Sequence, residues 1–555
     1  MIDFRKSTVY QIYPKSFKDT KGDGIGDLRG VIEKLDYLKF LGIDYIWLTP
    51  FYPSPQRDNG YDVSDYRSID PSYGTMEDFQ KLIEEGRERG IGIILDLVFN
   101  HTSIEHHWFQ EALKGNKEYK KYYIFRKPKN GEAPSNWESK FGGSAWEYVP
   151  ELKEYYLHLF DVTQADLNWD NPKVREELYD IVRFWMDKGV KGFRFDVINL
   201  VSKPQELKDD LEGDGRIFYT DGPKIHSFLK ELNRKSYGSE EGIITMGEMS
   251  STSLESCIKY TNPEERELSM VFNFHHLKVD YKDGDKWTLM PFDFMKLKEI
   301  LIHWQKGMEE GQGWSALFWN NHDQPRANSR FGDDKEYLVE SSKMLATAMN
   351  LLRGTPFIYQ GEEFAMTNPY YSKIEDYRDV ESINYYNILL EEGKSPEEII
   401  EILKNKSRDN SRTPMQWNGE KNGGFTDGIP WIEPSENYRW INAEEALKDE
   451  ESVLYHYKRL IGLRKELDVV AYGSFNPILK EHPSIFAYLR EYKGNKLLVI
   501  NNFYKENLTV ELGGILDEEL FEGEALLSNY KSSPKLTKAM KLRAYESLVY
   551  YLEKK

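Results

Sequence analysis

A chain of 555 residues is too long for one simple domain and predicts two or three packed units. Its formal net charge of −19 at pH 7 argues against nucleic acid as a partner, because that binding begins with neutralising phosphates, and it sets a repulsive average field against small anions. A single cysteine, Cys257, leaves no internal disulfide, and neither a membrane span nor the apolar core of a signal peptide is present near Met1–Ser7, so a soluble cytoplasmic protein with no membrane partner is expected.

In chain order, eight short β-like runs alternate with helical patterns. The runs are Val9–Tyr13, Tyr45–Leu48, Gly92–Phe99, Gly192–Asp196, Ile243–Gly247, Met270–Phe274, Ala316–Asn320 and Pro356–Tyr359. Amphipathic helices are predicted at Leu28–Leu41, Met76–Arg89, Pro172–Lys188, Pro223–Asn233 and Glu336–Leu352. Eight βα repeats predict an α/β fold, a (β/α)8 TIM barrel rather than an open doubly wound sheet, and no glycine fingerprint for a dinucleotide is present. Roughly ninety residues separate the third and fourth runs, too many for a structureless loop, so residues 101–171 are read as an inserted subdomain. The barrel then takes residues 1–100 and 172–471. Beyond the eighth run come a helical stretch near Pro396–Lys404, a turn-rich stretch from Asn418 to Trp431 and a helix at Ser452–Leu467. Strand-like runs at Ile485–Arg490, Leu497–Asn502 and Ser547–Leu552 make residues 472–555 a C-terminal all-β sandwich.

In a TIM barrel the reacting groups sit where the strands end. Those positions hold Asp96 and His101 after the third run, Arg194 and Asp196 on the fourth, Glu248 after the fifth, and His322 and Asp323 after the seventh. Each alone reads most simply as a cap, a salt bridge or a buried hydrogen-bonding group. Together, in barrel order, they place four carboxylates, two histidines and an arginine at one mouth. Arg194 lies two residues before Asp196, so period-2 alternation points both the same way.

These segments resemble the conserved regions of the α-amylase superfamily, glycoside hydrolase family 13, over nearly the whole chain. Gln164–Asn168 is similar to the family's motif near the end of its inserted domain, and Gln324–Arg326 is similar to the oligo-1,6-glucosidase-like branch. The resemblance implies a retaining α-glucosidase with Asp196 as nucleophile, Glu248 as general acid/base and Asp323 as the third catalytic carboxylate. It also implies that Tyr61 in Asp58-Asn-Gly-Tyr61 stacks on a terminal glucose, that His101 and His322 donate to its hydroxyls, and that Asp58 pairs with an arginine closing the pocket. Arg412 is the expected partner, with Arg408 the alternative.

Asp19-Thr-Lys-Gly-Asp23-Gly-Ile-Gly-Asp27 is similar to the branch's calcium loop, which implies Asp19, Asp23, the Ile25 carbonyl and Asp27 as ligands of a structural Ca²⁺. Lys21 departs from that pattern, standing where relatives have an oxygen donor, and a plain glycine turn is the alternative. No other cofactor is required. After the sixth run, His275, His276 and Lys278 form a cationic cluster in an acidic protein, suited to a phosphate. This segment, with Ser139–Trp146 and Gly213–Gly222, resembles that of the family members hydrolysing trehalose 6-phosphate. The expected substrate is therefore a small phosphorylated disaccharide, with His275 and Lys278 binding the phosphate. The alternative is an oligo-1,6-glucosidase or a transglycosylating isomerase of the same branch.

Overall fold

The computed structural model describes residues 3–554. Eight strands form one parallel sheet: β1 (Val9–Ile12), β2 (Tyr45–Leu48), β3 (Gly92–Leu97), β4 (Gly192–Phe195), β5 (Ile244–Glu248), β6 (Met270–Phe272), β7 (Ala316–Leu317) and β8 (Thr355–Tyr359). They are ordered β6-β5-β4-β3-β2-β1-β8-β7. Val271 bridges Ser315 in parallel and donates its N–H to the Trp314 carbonyl at 3.3 Å, which joins β6 to the β7 edge and closes the barrel. All residues of β1, β2, β4 and β8 are buried. Strands lined on one side by the barrel interior and on the other by helices read as continuous apolar runs rather than alternating ones.

The surrounding helices begin where the sequence supplies caps. Thr75 and Asp78 form a capping box for Met76–Glu88, and Asn171 caps Pro172–Asp187, whose Pro172 needs no N–H partner at that position. The helix predicted at Leu28–Leu41 is two helices, Leu28–Glu33 and Leu35–Leu41, because Lys34 leaves helical geometry at φ −104°, ψ 5°. Several strands stop earlier than their apolar runs: β3 at Leu97, β4 at Phe195 and β7 at Leu317. Asp196 and Asn320 therefore sit in the loops at the C-terminal mouth.

Between β3 and β4, His101–Ser103 pairs antiparallel with Gln164–Asp166, so both ends of the long excursion are tied together beside the mouth. It carries the helix His107–Leu113 and a three-stranded antiparallel sheet (Phe125–Arg126, Glu154–Leu157, Trp146–Val149). At the C-terminal end a five-stranded antiparallel sheet faces the pair Leu508–Glu511 and Ala539–Leu542. Ile485, Leu498, Ile500 and Leu548 from the first pack with Val510 and Met540 from the second. A fully buried arginine fastens this unit to the barrel: Arg490 donates to the Leu351 carbonyl at 2.5 Å, beside Arg464 of the preceding helix, which donates to those of Asn350 and Leu352 at 2.6 and 3.1 Å. They satisfy carbonyls left open at the end of the Leu338–Asn350 helix. Among the described residues no helix is long and apolar enough to cross a membrane.

Candidate active site

Arg194 organises the mouth. Its Nη1 donates to Asp96 Oδ1 at 2.7 Å and to Asp196 Oδ1 at 2.6 Å, while its Nη2 meets Glu248 Oε2. One guanidinium thus touches both carboxylates expected to carry the chemistry, which stand side by side at one mouth. Asp96 also accepts from Trp47 Nε1 at 3.1 Å and Tyr61 Oη at 2.9 Å. Burial pushes its carboxyl up to about 7, against the pull of Arg194. Val197, directly after Asp196, has φ +35°, a left-handed conformation rare for a β-branched residue. Strain of this kind is held in place only by a well-packed surrounding, here the sharp turn that presents Asp196.

His322 is buried, and Gln11 Nε2 lies 2.8 Å from its Nδ1. An amide nitrogen can only donate, so in this arrangement Nδ1 accepts and the proton sits on Nε2, 3.2 Å from Asp323 Oδ2. Burial lowers the His322 pKa to about 3, leaving a neutral donor. The Tyr61 ring stacks parallel to it with centroids 5.1 Å apart. His101 differs from expectation. Its Nε2 lies 3.1 Å from the Tyr61 carbonyl and its Nδ1 3.2 Å from Asn100 Nδ2, so its donor is engaged by the Tyr61 backbone.

The expected partner of Asp58 is corrected. Arg408, not Arg412, meets Asp58, Nη2 to Oδ1 at 3.0 Å. Arg412 donates from Nη2 to Asp323 Oδ1 at 2.7 Å and from Nε to the His322 carbonyl at 2.8 Å. The two arginines stand four apart at the short helix Asp409–Arg412, so both project on the same side and sequence spacing alone does not separate them. Between them lies Asp379, which the sequence did not single out: it is fully buried and accepts from Arg408 Nε at 2.9 Å and Nη2 at 2.5 Å. Burial opposes ionisation at Asp379 and Asp323, yet the arginines outweigh it and, joined at Asp323 by His322, hold both carboxyls well below the usual range. Burial pushes Asp58 the other way, up to about 7. Gln164 Nε2 donates to Asp58 Oδ2 at 3.1 Å, and Phe141 lies under the Arg408 guanidinium at 4.9 Å. Lys203, also unforeseen, donates to Asp166 Oδ2 and Asn100 Oδ1, both at 2.6 Å, bracing the base of the excursion.

Outward from these groups, a cleft of about 180 Å³ is lined by Glu248, Phe274, Lys278, Tyr281, Asp323 and Gln324. Lys278 is exposed there as a residue, and partial desolvation of its ammonium among the cleft walls, followed by repulsion from Arg216, lowers its pKa. Burial lowers Lys140 to about 8, with Arg216 and Lys278 adding to the effect. Arg216 is itself paired with Asp214, its Nε donating to both carboxylate oxygens at 2.9 Å, which leaves Lys278 as the cation lining the cleft. The loop bearing Lys278 is fixed by Asp280, which pairs with Arg330 at 2.6 Å and Lys406 at 2.8 Å. His275 and His276 do not share the position expected of them. His275 packs on Trp304 at 4.9 Å and burial lowers it to about 4, while His276 is buried against the Phe318 carbonyl at 2.9 Å.

The residues of the Asp19–Asp27 loop do not fit the expected calcium site. Asp19 accepts the N–H groups of Lys21, Gly22 and Gly24 at 2.7–2.8 Å and the Thr426 hydroxyl at 2.6 Å. Asp27 accepts from Thr20 and caps a helix through Gly30 N–H at 2.8 Å, and Asp23 accepts from Ile25 N–H at 3.0 Å. The Lys21 ammonium turns out to the Pro71 and Ser72 carbonyls at 3.1 and 2.7 Å. The carboxylates are occupied by donors of their own turn, of the helix that follows and of Thr426. Among the described residues no three His, Cys, Asp or Glu side chains gather to hold a metal ion.

Compared with known proteins, residues 11–473 match the alpha amylase catalytic domain, and residues 485–549 match the alpha-amylase SusG C-terminal domain. The chain belongs to the α-amylase family. Within this family, trehalose-6-phosphate hydrolase of Bacillus subtilis (strain 168) is 57% identical over 553 residues, covering 99% of this chain and 98% of that protein. An oligo-1,6-glucosidase of Parageobacillus thermoglucosidasius is 49% identical over 557 residues, covering 99% and 98%. The crystal structure of Bacillus licheniformis trehalose-6-phosphate hydrolase superimposes with a TM-score of 0.96 at 58% identity, covering 99% of this chain and 100% of that one. The chain is a glycoside hydrolase by family.

Proposed function

We propose that this enzyme hydrolyses trehalose 6-phosphate to glucose and glucose 6-phosphate by double displacement. The observation that carries the choice of substrate is the exposed Lys278 in the same cleft as Glu248 and Asp323, in a protein of net charge −19. An anion meets a repulsive average field, so a local cation at the mouth has selective value for a phosphorylated ring. The unmodified glucose enters the pocket closed by Asp58 and Arg408, and the phosphorylated ring lies outward toward Lys278.

Asp196, held by Arg194, attacks the anomeric carbon while protonated Glu248 gives its proton to the glycosidic oxygen, and glucose 6-phosphate leaves. The covalent glucosyl–Asp196 ester is then attacked by water, whose proton goes to the now ionised Glu248. Glucose leaves with retained configuration and both carboxyls return to their starting states. Asp323, ionised and gripped by Arg412 and His322, binds sugar hydroxyls and stabilises the oxocarbenium-like transition state. Residues 1–100 with 172–471, 101–171 and 472–555 are the barrel, inserted subdomain and C-terminal unit in this reading, and the cytoplasm is its compartment, in keeping with a single buried cysteine.

The 49%-identical oligo-1,6-glucosidase supports a second reading, action on isomaltose-type glucosides. Glucose release from trehalose 6-phosphate, trehalose and isomaltose, measured side by side, separates the two.

A further inference from the structure

Asp196 and Glu248 lie on different loops, and a bridge joins those loops behind the reacting carboxylates. Asn199, three residues past Asp196, is buried. Its Nδ2 donates to the Ser250 carbonyl at 2.9 Å and its Oδ1 accepts the Ser250 N–H at 2.9 Å. One side-chain amide thus saturates the backbone of the residue two past Glu248, as a neighbouring strand would. A second contact fixes the amide itself. Asp221 Oδ1 accepts from Asn199 Nδ2 at 3.1 Å, and its N–H donates to the Asn199 carbonyl at 3.0 Å. The same carboxylate accepts the Thr252 hydroxyl at 2.9 Å and the Tyr260 hydroxyl at 2.6 Å, both beyond Glu248 in the chain.

Backbone geometry is committed to this contact. Asp221 itself has φ +49°, and a Cβ on the adjacent Gly222 would lie 1.8 Å from the Ser202 carbonyl oxygen, so the segment packs directly on the loop after Asp196. Neither Asn199 nor Asp221 is among the residues lining the cleft.

We propose that Asn199 and Asp221 are positioning residues: together they clasp the two loops and set where Glu248 stands relative to Asp196 and the glycosidic oxygen. The inference rests on the acid/base role of Glu248. Proton transfer is sensitive to distance, and a displacement near 1 Å costs on the order of 10²-fold. The clasp therefore governs steps that use Glu248 as a proton donor or acceptor, and leaves binding at the terminal glucose pocket unchanged.

The test compares Asn199→Ala, Asn199→Asp, Asp221→Asn and the Asn199→Asp/Asp221→Asn double variant on two substrates. One is an unactivated disaccharide, trehalose 6-phosphate on the reading above, and the other is p-nitrophenyl α-glucoside with and without azide. In Asn199→Ala, kcat on the disaccharide is expected to fall ~10–100-fold with KM within about two-fold. The aryl glucoside, whose first step needs little proton donation, should lose less, and azide should recover most of the loss because it needs no general base. Asn199→Asp sets two carboxylates against each other and should be worse. The double variant restores a donor facing an acceptor and should recover part of the activity. If Asn199→Ala does not fold, the isosteric Asp221→Asn carries the same comparison. Equal losses on both substrates without azide recovery, a rise in KM alone, or unchanged kcat overturns the proposal. Glu248→Gln is measured alongside. Normal turnover there overturns both readings, whereas loss there with unchanged Asn199→Ala and Asp221→Asn overturns only this one.

Discussion

At the scale of single residues, Arg194 makes the division of labour between Asp196 and Glu248 testable. Asp196→Asn and Glu248→Gln are each expected to lose at least ~10³-fold in turnover. With an activated aryl glucoside, Glu248→Gln still forms the glucosyl-enzyme, and azide attacks it from the face left open beside residue 248, giving α-glucosyl azide. Asp196→Gly leaves a space where azide itself displaces the leaving group, giving the β-anomer. Nuclear magnetic resonance of the product decides: the opposite pair of anomers would exchange the two roles. Lys278→Ala is expected to weaken trehalose 6-phosphate use by ~10–100-fold, the loss of a charge-assisted contact worth ~1.5–3 kcal/mol, and to leave a neutral aryl glucoside nearly intact. His275→Ala should change that ratio little, since its neutral ring packs on Trp304 outside the cleft. A parallel fall for both substrates in Lys278→Ala would make Lys278 a structural residue.

The next scale is the element. The face presented by Arg408 and Arg412 holds Asp58, Asp323 and Asp379 as one buried ion network. Asp323 and Asp379 are depressed in the folded state, so as pH falls the unfolded chain takes up those protons first. Their stabilisation is full above the ordinary carboxylate value of about 3.8 and is lost below it. Asp58 and Asp96, raised to about 7, act in the opposite sense, and their contribution is lost as pH rises through that value. Calorimetry should therefore show Tm falling on the acid side below pH 4. Asp379→Asn should lower stability at neutral pH by about 3–5 kcal/mol, because it leaves buried arginines short of a counter-ion, and should flatten the acid fall. An unchanged acid slope would remove Asp379 from the network. The Asp19–Asp27 turn gives a second element-scale prediction: with its carboxylates filled by N–H donors, chelation should leave Tm unchanged, and a drop reversed by Ca²⁺ would contradict the geometry.

These two elements also mark what the sequence could and could not tell. Strand ends were legible because β1–β8 are buried apolar runs and because Asp196 directly follows β4, Glu248 ends β5 and Asp323 sits in the loop after β7. The partner of Asp58 was not, since Arg408 and Arg412 fall on one face and the choice depends on Asp379, brought in from a distant loop. The metal loop misled because its carboxylate spacing suits either an ion or a backbone turn, and only the donors around Asp19 distinguish them. His275 looked cationic beside Lys278, and burial against Trp304 removed that reading.

At the scale of the whole molecule, architecture assigns each end of the substrate to a different part of the chain. The barrel supplies Arg194 and the carboxylates, the excursion after β3 supplies Gln164 and Phe141 to the closed end, and the loop after β6 brings Lys278 to the outer cleft. A locally cationic rim on a strongly acidic body makes selectivity electrostatic and therefore sensitive to salt, because an exposed ammonium is screened within ~8–10 Å at ordinary ionic strength. The most direct measurement is the ratio of kcat/KM for trehalose 6-phosphate to that for trehalose and for isomaltose, at low and at raised salt. The account predicts a ratio well above one that declines as salt rises, with the unphosphorylated sugars unaffected by salt. A ratio at or below one against isomaltose, at any ionic strength, would contradict it and make the enzyme an oligo-1,6-glucosidase.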